Sequence, residues 1–282
     1  MEEKKYPRML ENTIAVGASA PFRILHMSDT HLTRADERDD ERKLTLAAER
    51  QKYFGRAEMM AEAGSELSHK EGLPIFHTGD LLDFVSYANL DAARAYTEQN
   101  DVFMASGNHE FSLYVGEAFE DAAYREQSLD KVQACFKNDI RFSVRQINGV
   151  NFVALDNSYY LVDPWQLDAL KKVVAEGLPV VLLIHTPLYC ESLYHYEMVE
   201  RKAGSAGIMA VPEELMQGYN DYRFRQQKAD ATTLEAYDYI CSEPLIRAIL
   251  TGHLHKDGEY RINDRLTQYI TGTHTIRTVT FE

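Results

Sequence analysis

The chain has 282 residues, 45% of them apolar and 26% charged, which suits a folded protein long enough to bury a sizeable core. Its formal net charge of −14 at pH 7 repels nucleic-acid backbones and anionic membranes, and no basic stretch with interleaved aromatics offsets it, so extended nucleic acid is not an expected partner. Bound divalent cations would invert the sign locally, which keeps a small phosphorylated substrate open. The three cysteines, Cys135, Cys190 and Cys241, are odd in number and have no metal-ligand spacing, which suits a reducing compartment. With no apolar leader and no run of transmembrane length, no membrane association is expected and the cytoplasm is the expected location.

In chain order, residues 1–12 are charged and read as loosely attached, and Thr13 to Val16 as a short leading strand before the strand from Phe22 to Ser28. From Arg38 to Leu67, Glu, Lys, Ala, Met and Leu recur with helical spacing and predict one long amphipathic helix, stopped by Gly72-Leu73-Pro74. Asn89 is the expected N-cap of a helix to Gln99, and a further helix is expected from Phe119 to Phe136. Two alternating runs, Phe142–Ile147 and Val150–Leu155, flank Asn148-Gly149. Both turn residues tolerate the positive φ of a type I′ turn, so a hairpin is expected and the sheets are mixed. Asp163-Pro164 opens a helix with Leu167, Leu170 and Val174 on one face, and Thr232-x-x-Glu235 reads as a capping box. The stretch 188–229 is longer than one connection needs and is rich in tyrosine; it reads as an insertion beside a site within one domain spanning 1–282.

Five apolar runs end in the same way. They deliver Asp29 and His31, Asp80 after Gly79, Asn108-His109-Glu110 after Gly107, His185, and His253 and His255 after Gly252. Strand ends at the carboxyl edge of an open α/β sheet are where such sheets put ligands. Two carboxylates, one amide and four imidazoles, besides His109, exceed what one ion can use; two ions sharing a carboxylate can use them all. Mixed oxygen and nitrogen donors without thiolate point to Mn, Fe or Zn and away from Mg or Ca. Two ions a few ångströms apart suit phosphoryl chemistry, in which a bridging hydroxide attacks. His109, beside Asn108, is then free to protonate the leaving oxygen as general acid, with acidic Glu110 as its orienter.

The order Asp-x-His, Gly-Asp, Gly-Asn-His-Glu, His, Gly-His-x-His across residues 29–255 resembles the calcineurin-like metallophosphoesterase superfamily. The resemblance implies a two-sheet α/β sandwich flanked by helices around a dinuclear centre. It implies one ion on Asp29, His31, Asp80 and His255, and the other on Asp80, Asn108, His185 and His253, with Asp80 bridging and His109 catalytic. Monoesters and diesters stay open as substrates. A nuclease of the same superfamily and a non-catalytic scaffold on the fold are the alternatives. Within the insertion, His195, Arg223 and Arg225 are candidate substrate contacts, the arginines as bidentate donors to phosphate. His26 and His77 lie inside strands and read as sheet-face histidines.

Overall fold

The computed structural model describes residues 6–115 and 122–282. The elements in order are β1 (Arg8–Ile14), β2 (Phe22–Met27), α1 (Glu41–Phe54), α2 (Ala57–Glu71), β3 (Ile75–His77), α3 (Tyr87–Gln99), β4 (Val102–Met104) and α4 (Ala122–Gln133). They continue with β5 (Phe142–Ile147), β6 (Val150–Leu155), α5 (Pro164–Val174), β7 (Val180–Leu183), α6 (Glu191–His195), α7 (Asp221–Gln227), α8 (Ala231–Ser242), β8 (Ile246–Thr251), β9 (Gly258–Arg261), β10 (Thr267–Ile270) and β11 (Thr275–Phe281).

Among the described residues the strands form two mixed sheets, ordered β1-β11-β2-β3-β4 and β5-β6-β7-β8-β10-β9. Alternation along the strands sets three apolar interfaces, because successive side chains point to opposite faces. Ile24, Phe76, Phe152, Ala154, Val181, Leu250 and Phe281 meet between the sheets. Leu25, Ile75 and Met104 face outward onto Met60, Ala61, Ala93 and Val132 of α2–α4. Val153, Leu155 and Leu182 face outward onto Leu167, Leu170 and Ile240 of α5 and α8. Phe152 lies edge-on to Phe76 at 4.9 Å and to Phe281 at 5.0 Å, and truncating such a ring to alanine costs about 3–5 kcal/mol. The result is an α/β sandwich flanked by helices.

Several expectations need correction. Residues 8–12 are not loose: they belong to β1, which pairs in parallel with β11 from Arg8↔Thr275 to Ile14↔Phe281. The long helix is two, α1 and α2, broken at Gly55-Arg56, and the break turns Phe54 inward onto His31. Ser86, not Asn89, caps α3, its Oγ accepting the Asn89 N–H at 3.1 Å. Asp230, not Thr232, caps α8 by accepting the Thr233 N–H at 2.7 Å. The expected start of α4 near Phe119 lies outside the described residues. The hairpin forms as read, Ile147 opposite Val150, with φ of 46° at Asn148 and 78° at Gly149.

Within 188–229, Cys190, Leu193, Ala206, Ile208, Val211, Met216 and Tyr219 pack into a separate apolar cluster against Ile270. Tyr189, Tyr194 and Phe224 pack half-buried against this cluster, and none of the three lines the cleft.

Candidate metal centre

The ends of β2, β3 and β4 in one sheet and of β7 and β8 in the other open onto one rim. Backbone bonds stitch the loops together: the Asp29 N–H to Gly79 O at 3.0 Å, His31 N–H to Asp80 O at 2.9 Å and Gly252 N–H to His185 O at 3.0 Å. The two sheets join where the His253 N–H donates to Asp29 Oδ2 at 2.9 Å. Close approach demands glycine. A Cβ at Gly79 would fall 2.5 Å from Gly107 N and 2.6 Å from His185 Nδ1, and one at Gly252 would strike Ser28 and the Asp29 carboxylate. Asp29, His31, Asp80, His253 and His255 all have left-handed backbone, with φ between 53° and 69°. That conformation is uncommon for residues with a side chain and persists only where surroundings enforce it, typically at functional sites.

Asp29, His31, Asp80 and His255 each bring one donor atom into a group whose members lie within 4.8 Å of one another, and Asp80, His185 and His253 form a second such group. In the first, His31 Nε2 lies 3.0 Å from His255 Nε2, 3.7 Å from Asp80 Oδ2 and 3.8 Å from Asp29 Oδ1. In the second, His185 Nε2 lies 3.1 Å from both Asp80 Oδ2 and His253 Nδ1. Asp80 is common to both groups. Asn108 Oδ1 is buried with no hydrogen-bond partner in the protein, an expensive state for an amide oxygen unless a ligand meets it.

The electrostatics ask for positive charge. Although burial opposes ionisation, histidines hold the Asp29 and Asp80 carboxyls below their usual range. Burial lowers His31 and His185, but the carboxylates of Asp29 and Asp83 lift the first to about 10, and Asp80 lifts the second to about 9. A pocket that would otherwise gather protons, with an unpartnered amide oxygen and only oxygen and nitrogen donors, fits divalent cations.

Residues 22–257 match the calcineurin-like phosphoesterase family. The chain belongs to that family. It is a metallophosphoesterase, a hydrolase of phosphoric esters, and its family uses a divalent metal centre. Among solved structures, a dimetal phosphatase from Danio rerio is 14% identical, with 90% of this chain and 88% of that one covered and a TM-score of 0.50. A putative 5′-nucleotidase from Staphylococcus aureus is 14% identical over 93% of this chain and 51% of its own, at a TM-score of 0.46. The phosphopantetheinyl hydrolase of Mycobacterium tuberculosis is 13% identical over 93% and 90%, at 0.43. At these identities the likeness concerns the fold alone. No curated protein matches the sequence, and among the described residues no helix is long and apolar enough to cross a membrane.

The phosphoesterase's cleft over these donors holds about 370 Å³ and is lined by Asp80, Asn108, His109, Tyr160, His253 and His255 on one side. The insertion lines it with Glu197, Arg201, Ser205, Gly207, Arg223 and Gln227. His109 stands beside the donors, its N–H bonded to Asp80 Oδ1 at 2.8 Å and its ring Nδ1 to the Asp83 carbonyl at 2.6 Å. Burial lowers its pKa, but the charges of Asp80 and Asp83 prevail and raise it. Glu110 does not orient this ring. Its buried carboxylate accepts from the N–H groups of Asp80 and Gly107 at 2.7 Å and of Leu82 at 3.1 Å, knotting the β3 and β4 exits together.

Asp83 takes the place expected of Glu110, 3.3 Å from His109 Nδ1 and accepting from His31 Nδ1 at 2.9 Å and Arg50 Nε at 2.6 Å. The sequence reading missed it, although a carboxylate directly after Asp80-Leu81-Leu82 is a buried acid in waiting. Of the expected substrate contacts, Arg223 lines the cleft, whereas His195 and Arg225 are exposed elsewhere. His26 and His77 are fully buried; His26 is bonded to Thr78 and Thr271 hydroxyls at 2.9 and 2.8 Å, His77 to Thr30 at 3.0 Å.

Proposed function

We propose that this phosphoesterase hydrolyses a small phosphomonoester or phosphodiester on a dinuclear centre of Mn, Fe or Zn. Asp29, His31, Asp80 and His255 hold one ion, and Asp80, Asn108, His185 and His253 the other. The observation that carries the reading is the Asp80 carboxylate, shared by two separate groups of converging donors. When bound, the ions would supply Lewis acidity toward the phosphoryl oxygens and an activated water.

The chain's own residues do the rest. With Nδ1 engaged by Asp83, His109 presents its other nitrogen to the cleft and donates a proton to the leaving oxygen, work that contributes about 10²–10⁴-fold. Glu110 keeps the Asp80 and Asn108 turns in register through three backbone bonds. Arg223 brings a guanidinium to the cleft wall, where a planar pair of donors suits a phosphate oxygen pair. A cleft of about 370 Å³ admits a small ester and not a folded polymer.

The test is metal content together with hydrolysis of nitrophenyl phosphate and bis(nitrophenyl) phosphate in Mn²⁺, for wild type and His109→Ala. About two ions per chain and turnover of either ester, lost in the variant, support the reading. Two bound ions with no turnover of either ester or of a nucleotide panel would leave a scaffold.

A further inference from the structure

Every imidazole facing the cluster has a second ring nitrogen, and the group that nitrogen meets selects the tautomer. His31 gives its Nδ1 to the Asp83 carboxylate at 2.9 Å, and His185 gives its Nδ1 to the Thr78 carbonyl at 2.7 Å. His253 is turned the other way. Its Nδ1 faces His185 Nε2 at 3.1 Å, and its Nε2 meets the Tyr160 hydroxyl at 2.7 Å. A neutral imidazole that presents an electron pair at Nδ1 carries its proton on Nε2, so the phenol oxygen accepts.

Tyr160 shares the backbone strain of the candidate ligands. It is 1% exposed yet has a φ of 61°, a left-handed conformation that a bulky residue rarely adopts. A bond from its N–H to the Asn157 carbonyl at 2.9 Å holds it, and its ring stands edge-on to His253 at 5.5 Å between centroids. Asn157 serves the neighbouring histidine: its Oδ1 accepts from the His185 and Thr186 N–H groups, each at 3.0 Å. One turn after β6 therefore braces both histidines on the Asn108 side of Asp80.

We propose that Tyr160 is a positioning residue for His253, its phenol oxygen accepting the Nε2 proton and thereby fixing the tautomer that presents Nδ1 to the second ion. This rests on the dinuclear reading above. Tyr160→Phe removes the oxygen and keeps the ring. Mn²⁺ is titrated calorimetrically into metal-free wild type and variant, with electron paramagnetic resonance reporting the coupled pair. The expected result is one ion with unchanged affinity and one weakened about 10- to 100-fold, loss of the coupled signal at limiting Mn²⁺, and an unchanged Tm of the metal-free protein.

Unchanged affinities for both ions overturn the proposal. Equal weakening of both overturns it as well, since that reports general loosening. A wild-type protein that binds fewer than two ions overturns the dinuclear reading itself, and the role of Tyr160 with it. Should the phenylalanine variant not fold, fluorotyrosine at position 160 keeps the shape and weakens the oxygen as acceptor. It must then shift the same ion in the same direction by less, and no shift overturns the proposal.

Discussion

The two halves of the donor cluster are supported by different chemistry. On the Asp29 side, His31 leans on the Asp83 carboxylate, which Arg50 of α1 clamps with bonds of 2.6 and 2.8 Å. On the Asn108 side the supports are neutral: the Thr78 carbonyl, the Asn157 amide and the Tyr160 phenol. His185, on the Asn108 side too, is lifted to about 9 by Asp80 despite burial, so the contrast lies between His31 and His253. Burial lowers both, but the neighbouring carboxylates lift His31 to about 10, while burial together with His185 takes His253 down to about 3. An anionic acceptor behind a ring makes it a more basic ligand, so on the proposed dinuclear reading the ion on the Asp29 side should be held more tightly. The lesson is that two sites sharing one carboxylate need not be equivalent.

Asp80 stands on both sides of that divide, so Asp80→Asn is the most damaging change. It is expected to lower turnover by about a thousandfold and to release metal from both halves; retention of two ions with full activity would remove Asp80 as the bridge. His109→Ala should lower kcat by about 10²–10⁴-fold while leaving both ions in place, checked by metal analysis beside steady-state kinetics. A metal-depleted variant would make His109 a structural residue instead. Asp83→Asn should weaken one ion about 10- to 100-fold and spare the one supported by Tyr160. Calorimetric titration reads this directly, and weakening of the opposite ion would contradict the unequal supports. Arg223→Ala is the mildest: KM should rise about tenfold with kcat nearly unchanged, the loss of one charge-assisted contact. A fall in kcat alone would place Arg223 at the transition state.

The layers of the fold and the donor set were legible in the sequence because both follow local rules. Alternation marks strands such as Val150–Leu155, and each of the five blocks follows an apolar run. The leading strand read at Thr13–Val16 catches only the end of β1; residues 8–12 were hidden because their partner, β11, lies at the far end of the chain and they are mostly polar on an edge. The break between α1 and α2 was hidden because helical periodicity continues through it; only the tertiary stacking of Phe54 on His31, 4.1 Å between centroids, gives it a purpose. Within the site the converging donors could be read, but their supports could not. Glu110 was adjacent in sequence and looked like the orienter of His109, whereas the contact belongs to Asp83, whose burial only the fold reveals. Tyr160 and Asn157 carry no motif. The signal was the end of a sixth apolar run, Leu155-Asp156-Asn157, which the hairpin reading absorbed.

The three backbone bonds to Glu110 have a kinetic meaning. Its carboxyl is fully buried, and burial together with the Asp80 charge raises its pKa to about 7, but bonds from Asp80, Leu82 and Gly107 hold it in place. These ties join protein to protein and involve no ion, so the spacing of the Asp80 and Asn108 turns is set before any metal arrives. Loading is then expected to need little ordering of these two turns. Its speed should be set by how fast a hydrated cation sheds water at the rim, as filling a finished mould is governed by the pour.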